Sequence, residues 1–212
     1  MRLFIGFFTE ERLYDNIRKI KSETKHFIEG KWIRPENCHI TFQFLGEVAE
    51  EKLNDLIISL ERLSQQISPL YINYKGLGIF GLDNDKPKQL IKSKNDLISK
   101  KMPVKNKIKK NDVLWMGITS EDSEKESLIS IAGKIIKNNA DFDIKTDAKP
   151  FFPHLTICRI SSYKKDGLLK LLEKYKDTKF DSEVMKSFSL IKSVTNPAGA
   201  KYATIKEFNL IF

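Results

Sequence analysis

Two of the three histidines in this chain stand two residues before a threonine, although the chain has only 9 threonines in 212 residues. His39 and Thr41 lie in the run Cys38-His39-Ile40-Thr41-Phe42-Gln43-Phe44-Leu45-Gly46, and His154 and Thr156 lie in Pro153-His154-Leu155-Thr156-Ile157-Cys158-Arg159. Both runs are apolar and read as strands, where residues i and i+2 point to one face. Each phrase therefore places an imidazole beside a hydroxyl. Histidine titrates near neutral pH. Two such pairs facing each other supply a general base, a general acid and two hydroxyl donors around one small anionic group.

A phosphate ester fits that set. One imidazole takes a proton from water and the other protonates the leaving oxygen, while Thr41 and Thr156 hold the non-bridging oxygens. A strained five-membered 2′,3′-cyclic phosphate is reactive enough to need no metal, whereas an ordinary diester usually recruits one. Arg159, three residues beyond Thr156, can clamp a phosphate with its planar fork. Strand alternation puts Gln43 on the face of His39 and Cys158 on the face of His154. It sends Phe42, Phe44, Leu155 and Ile157 to the core. His26 has no such partner and reads as surface.

The elements that carry these residues come in two similar halves. Residues 2–8 read as a first core strand rather than a signal peptide, because the apolar stretch is short and lacks a small-residue cleavage site. Thr9 is placed to cap a helix with Glu10 and Glu11 in its first turn and Leu13, Ile17 and Ile20 on its apolar face. The His39 strand, a helix at about 50–67 and a strand at about 70–80 follow. The second half repeats the order. It has a strand at Val113–Ile118, a helix opened by a Ser123-x-x-Glu126 capping box, the His154 strand, a helix at about 163–176, and strands at about 180–194 and 201–212. Thr195-Asn196-Pro197-Ala198-Gly199 is the turn between the last two strands.

The expected fold is α/β (α+β): one bilobal, duplicated domain over 1–212. Its pseudo-symmetric lobes, about 1–82 and 112–212, each hold an antiparallel-type sheet flanked by helices, with room for strand exchange between them. The two His-Thr pairs meet in the cleft. Between the lobes, residues 83–111 form a lysine-rich insertion with 10 Lys and 3 Asp, which carries most of the net charge of +9. Pro87 and Pro103 make it irregular, with room for a short helix at Gln89–Lys101. So concentrated a charge suits a polyanion such as RNA, or is simply a solvated loop.

With 41% hydrophobic and 31% charged residues, the chain has the composition of a soluble globular protein. It has no apolar run long enough to span a membrane. Two cysteines build no disulfide framework, and no Cys-x-x-Cys or His-x3-His spacing points to zinc. No metal and no cofactor are expected. A reduced cytoplasmic monomer is the default.

These residues resemble the two-histidine (2H) phosphoesterase superfamily, within it the RNA 2′,3′-cyclic 3′-phosphodiesterase (2′-5′ RNA ligase) family. The resemblance runs through Met1–Ile5, Trp32–Val48, Gly76–Phe80, Val113–Trp115, Pro153–Arg159 and Thr195–Tyr202. It implies a bilobal fold with the site between the lobes and hydrolysis of RNA 2′,3′-cyclic phosphate ends, tRNA fragments among them, to a 2′-phosphate. It also implies His39 as proton donor to the leaving 3′ oxygen and His154 as the acceptor that activates water. ATP-independent 2′-5′ joining is the reverse chemistry. The long stretch between Phe80 and Val113 departs from the family pattern, in which that link is shorter. Small cyclic nucleotide phosphates or 2′-5′ oligoadenylates are the alternative substrates. A non-catalytic RNA-end-binding module is the alternative class, and two titrating histidines speak against it.

Overall fold

The computed structural model describes residues 1–81, 112–120, 127–142, 150–196 and 199–211. The lysine-rich stretch, where a short helix is expected at Gln89–Lys101, the Ser123-x-x-Glu126 box and Pro197-Ala198 lie outside the described residues.

The elements run β1 (Arg2–Phe8), α1 (Leu13–Thr24), β2 (Ile28–Trp32), β3 (His39–Glu47), α2 (Leu53–Ser64) and β4 (Leu70–Phe80). They continue with β5 (Val113–Ser120), α3 (Leu128–Asn138), β6 (His154–Tyr163), α4 (Lys165–Tyr175), β7 (Lys179–Met185), β8 (Ser187–Asn196) and β9 (Gly199–Asn209). They form two sheets, ordered β3-β1-β8-β9 and β2-β6-β5-β4-β7. Every pairing is antiparallel. The mixed α/β class with two antiparallel sheets flanked by helices is as the residue pattern predicts.

Apart from the edge strand β2, the two sheets have the same plan. Each histidine strand pairs with the opening strand of its own half, β3 with β1 and β6 with β5. Of the remaining strands β7 stays in the sheet of its own half, and the others cross over. β4 of the first half joins β5, while β8 and β9 of the second half join β1. The helices cross as well. α3 packs with α2 over β3 and β9, and α1 lies against β7 beside α4, whose Lys174 is 2.7 Å from Glu23. Each sheet is thus completed by both halves of the chain, which ties the two histidine strands into one body.

Helical periodicity anticipates the core well. Leu13, Ile17 and Ile20 are buried in α1, and Leu56, Leu60 and Leu63 in α2. Leu128, Ile131, Ala132 and Ile135 are buried in α3, and Leu168, Leu171 and Tyr175 in α4.

Three details differ from the sequence reading. Thr9 does not cap α1: its N–H extends the ladder to the Cys38 carbonyl, and the helix starts at Leu13. The Glu10 N–H, ahead of the helix, donates across to β7, where the buried Glu183 carboxylate accepts it at 3.2 Å. β2 is an extra strand, polar and at the sheet edge, where the pattern gives no apolar alternation. The single strand expected at 180–194 is two strands in different sheets, broken at Lys186 where the chain crosses over. The described start of α3 is capped by Ser127, whose hydroxyl accepts from the Ser130 N–H at 3.1 Å. Among the described residues no helix is long and apolar enough to cross a membrane.

Candidate active site

The site is shaped by a β-bulge repeated in both histidine strands. Along β3, Thr41 faces Gly6 and Gln43 faces Ile5, which leaves Phe42 without an opposite residue. Along β6, Thr156 faces Trp115 and Cys158 faces Leu114, which leaves Ile157 in the same position. An extra residue reverses the alternation beyond it. From His39 to Leu45 and from His154 to Ile160 the order of buried and open positions is identical.

The bulges overturn part of the expected face assignment. Gln43 does not line the cleft. It is 5% exposed, and its side-chain oxygen accepts from Asn139 Nδ2 at 2.8 Å, next to the end of α3. Cys158 is fully buried rather than cleft-facing. Phe44, expected in the core, is 52% exposed and returns to the face of Thr41. Arg159 holds the equivalent position in β6, which is how a residue three beyond Thr156 shares its face. Phe42, Leu155 and Ile157 are buried and His26 is exposed, as the sequence suggests.

Both histidines are anchored alike. His39 Nδ1 is 2.6 Å from the Asn37 carbonyl oxygen, and His154 Nδ1 is 2.8 Å from the Phe152 carbonyl oxygen. A carbonyl only accepts, so Nδ1 carries the proton and Nε2 is the working nitrogen of each ring. Asn37 closes the short 3-10 turn Pro35–Asn37 and is tied to β9 through its Nδ2, 3.2 Å from the Ala200 carbonyl oxygen.

Aromatic rings complete each seat. His39 lies 4.9 Å from Phe4, 6.0 Å from Phe8 and 4.8 Å from Tyr202, the last edge-on. His154 lies 4.8 Å from Phe80 at 90° and 6.2 Å from Phe152. None of these rings was singled out for a role by sequence pattern. Phe4, Phe80 and Tyr202 stand inside the phrases that carry the family resemblance, which is the one signal that points to them.

Burial holds both imidazoles below the usual histidine range. The backbone carbonyls oppose this in part. His39 is pushed down further by the positive charges of Arg159 and His154. Burial raises the Tyr202 phenol and the Arg159 charge opposes that rise, so the guanidinium acts on the sheet that carries His39. A base–acid pair works only while one ring is neutral and the other protonated. The base is lost as pH falls through the lower titration and the acid as pH rises through the higher one. The bell of kcat/KM is therefore expected to centre on the acid side of about pH 6.5. The kcat bell should lie to higher pH, because bound phosphate favours the protonated rings. A kcat/KM bell centred well above neutrality contradicts these environments.

Among the described residues no group of three His, Cys, Asp or Glu side chains is placed to hold a metal ion. Burial pushes the thiols of Cys38 and Cys158 up to about 12, which disfavours the thiolate a metal needs.

Comparison with known proteins extends over nearly the whole chain. The family model for the LigT like phosphoesterases matches residues 8–91 and 118–202. A protein of Aquifex aeolicus named RNA 2′,3′-cyclic phosphodiesterase is 34% identical over 99% of this chain and 97% of its own length. One of the same name from Methanocaldococcus jannaschii is 31% identical over 98% of this chain and 100% of its own length. The crystal structure of TT0787 of Thermus thermophilus superposes with a TM-score of 0.70 at 21% identity, covering 99% of this chain and 98% of that one. The crystal structure of E. coli LigT complexed with 3′-AMP does so at 0.68 and 19%, covering 99% and 97%. At those identities the solved structures speak for the fold.

Proposed function

This chain belongs to the LigT-like phosphoesterase family and is a hydrolase, and from that premise we propose that it hydrolyses RNA 2′,3′-cyclic phosphate ends to 2′-phosphates with two histidines and no metal. The observation that carries the reading is the pair of imidazoles, each locked through Nδ1 to a carbonyl two residues upstream and each beside a threonine.

His154 Nε2 takes a proton from water, and the water oxygen forms a bond to phosphorus. The bond from phosphorus to the 3′ oxygen breaks, and His39 Nε2 gives that oxygen its proton. The 2′ ester remains. Thr41 and Thr156 donate to the non-bridging oxygens, and Arg159 clamps the phosphate. His39 must be protonated to act as the acid, against the charges of Arg159 and His154. The incoming phosphate anion offsets both. A 5′-hydroxyl in place of water makes a 2′-5′ linkage by the same proton transfers, without ATP. The chain works as a cytoplasmic monomer without a cofactor, on RNA ends such as those of tRNA fragments.

Two features favour RNA over a small cyclic nucleotide. Phe44 is exposed on the cleft face and shares the Phe4 ring with His39. It offers a base a stacking surface. The lysine-rich stretch leaves β4 just beyond Phe80, whose ring touches His154, and returns to Phe80's strand partner, Val113. The deciding experiment compares kcat/KM for a nucleoside 2′,3′-cyclic phosphate and for an RNA oligomer with the same end. A clear preference for the oligomer supports RNA, and the reverse supports a small-nucleotide enzyme. Turnover of neither contradicts the proposal. Phe44→Ala is expected to raise KM about tenfold with little change in kcat, since stacking contributes roughly 1–3 kcal/mol per base. An unchanged KM removes Phe44 from the binding surface.

A further inference from the structure

Gly78 and Trp115 come from two phrases that the chemistry leaves without a role, and the fold sets them opposite each other as strand partners on β4 and β5. The other strand partner of Trp115 is Thr156 of the second motif, so the indole shares the sheet face of Thr156, next to the His154 end of β6. It is 2% exposed and rests directly on the Gly78 backbone. A Cβ at position 78 would stand 2.0 Å from indole Cζ2 and 2.2 Å from Cη2, where no side chain fits. Among the described residues the indole N–H has no hydrogen-bond partner, and the ring is held by packing.

Above it the ring meets Phe80 at 5.4 Å and Phe152 at 5.2 Å. Those two rings seat His154, and Phe152 also supplies the carbonyl that accepts from His154 Nδ1. Both routes to His154 therefore start at the indole. In the first sheet Gly6 stands opposite Thr41 where Trp115 stands opposite Thr156, and there a single ring, Phe4, lies over that glycine and meets His39 directly at 4.9 Å.

We propose that Gly78 and Trp115 are a positioning pair for His154, the indole laid flat on glycine backbone so that Phe80 and Phe152 aim the imidazole into the cleft. Neither touches the reacting atoms. The inference rests on His154 being the base, as set out above.

The test is Gly78→Ala, read in two ways. In steady-state kinetics on a nucleoside 2′,3′-cyclic phosphate, kcat is expected to fall roughly tenfold or more, as for a misaimed catalytic group, with KM nearly unchanged. In NMR titration of the His154 ring without substrate, the midpoint should move to higher pH, because a loosened seat admits water to an imidazole that burial holds low. Adding Trp115→Phe shortens the ring above the new Cβ, removes no paired polar group, and should restore both readouts toward wild type. Gly78→Ala with wild-type kcat and titration overturns the proposal, as does a loss that the double variant fails to recover. If Gly78→Ala does not fold, Trp115→Leu removes the platform from below, and an unmoved His154 titration in that protein overturns the proposal equally. A wild type inert on cyclic phosphates sinks the functional reading instead, while the titration still decides this one.

Discussion

Alanine at His154 is expected to lower kcat on a 2′,3′-cyclic phosphate by about 10²–10⁴-fold, the usual contribution of a positioned acid or base. Alanine at His39 should cost a similar factor. The two losses should not multiply, because either variant already breaks the concerted transfer and leaves the threonines and Arg159 to act alone. Each variant should also lose one limb of the bell, so that rate against pH becomes a single titration. The fold should survive, since each ring is only partly buried and each strand is held by its ladder. Circular dichroism and thermal melting check that point. Activity that survives the loss of either histidine contradicts the mechanism.

Arg159→Ala is expected to lower kcat/KM by about 10²-fold, given that a charge-assisted bond to phosphate contributes roughly 1.5–3 kcal/mol. Lysine should recover only part of this, for it lacks the planar fork. The geometry adds a second, less obvious result. The guanidinium charge reaches across the cleft and holds His39 down. Its removal should move the His39 titration to higher pH in the free protein, while His154, on the same strand as Arg159, should move less. Steady-state kinetics with both variants and NMR titration of the two rings check this. An unmoved His39 would place the guanidinium away from the first sheet.

The chemistry of this chain is written in residue types, and so are its helices. Two His-x-Thr phrases in apolar runs are visible without any structure. The apolar faces of the four described helices follow from 3.6-residue spacing. What the pattern hides is pairing. Nothing in Leu70–Phe80 or Ser187–Asn196 tells that these strands complete the opposite sheet, because strand partners are chosen by packing across long sequence separations. Nor does anything mark the bulges. Phe42 and Ile157 are ordinary apolar residues, yet they reverse the faces of Gln43, Phe44, Cys158 and Arg159. Period-2 reasoning holds up to the threonine and fails one residue later. Alternation alone therefore sends Phe44 to the core, while guanidinium chemistry points to Arg159 independently of facing. β2 escapes the pattern for a different reason, as a charged edge strand has no apolar face to read.

The most direct test of a metal-free, two-histidine phosphodiesterase is the fate of an RNA oligomer ending in a 2′,3′-cyclic phosphate. It is incubated in EDTA with wild type, His39→Ala and His154→Ala, and its end group is then identified. Wild type alone should convert the end, and the product should be a 2′-phosphate with a free 3′-hydroxyl. A 3′-phosphate would reverse the assignment of the leaving oxygen. Conversion that needs added divalent metal, or that proceeds in either variant, would contradict the central claim.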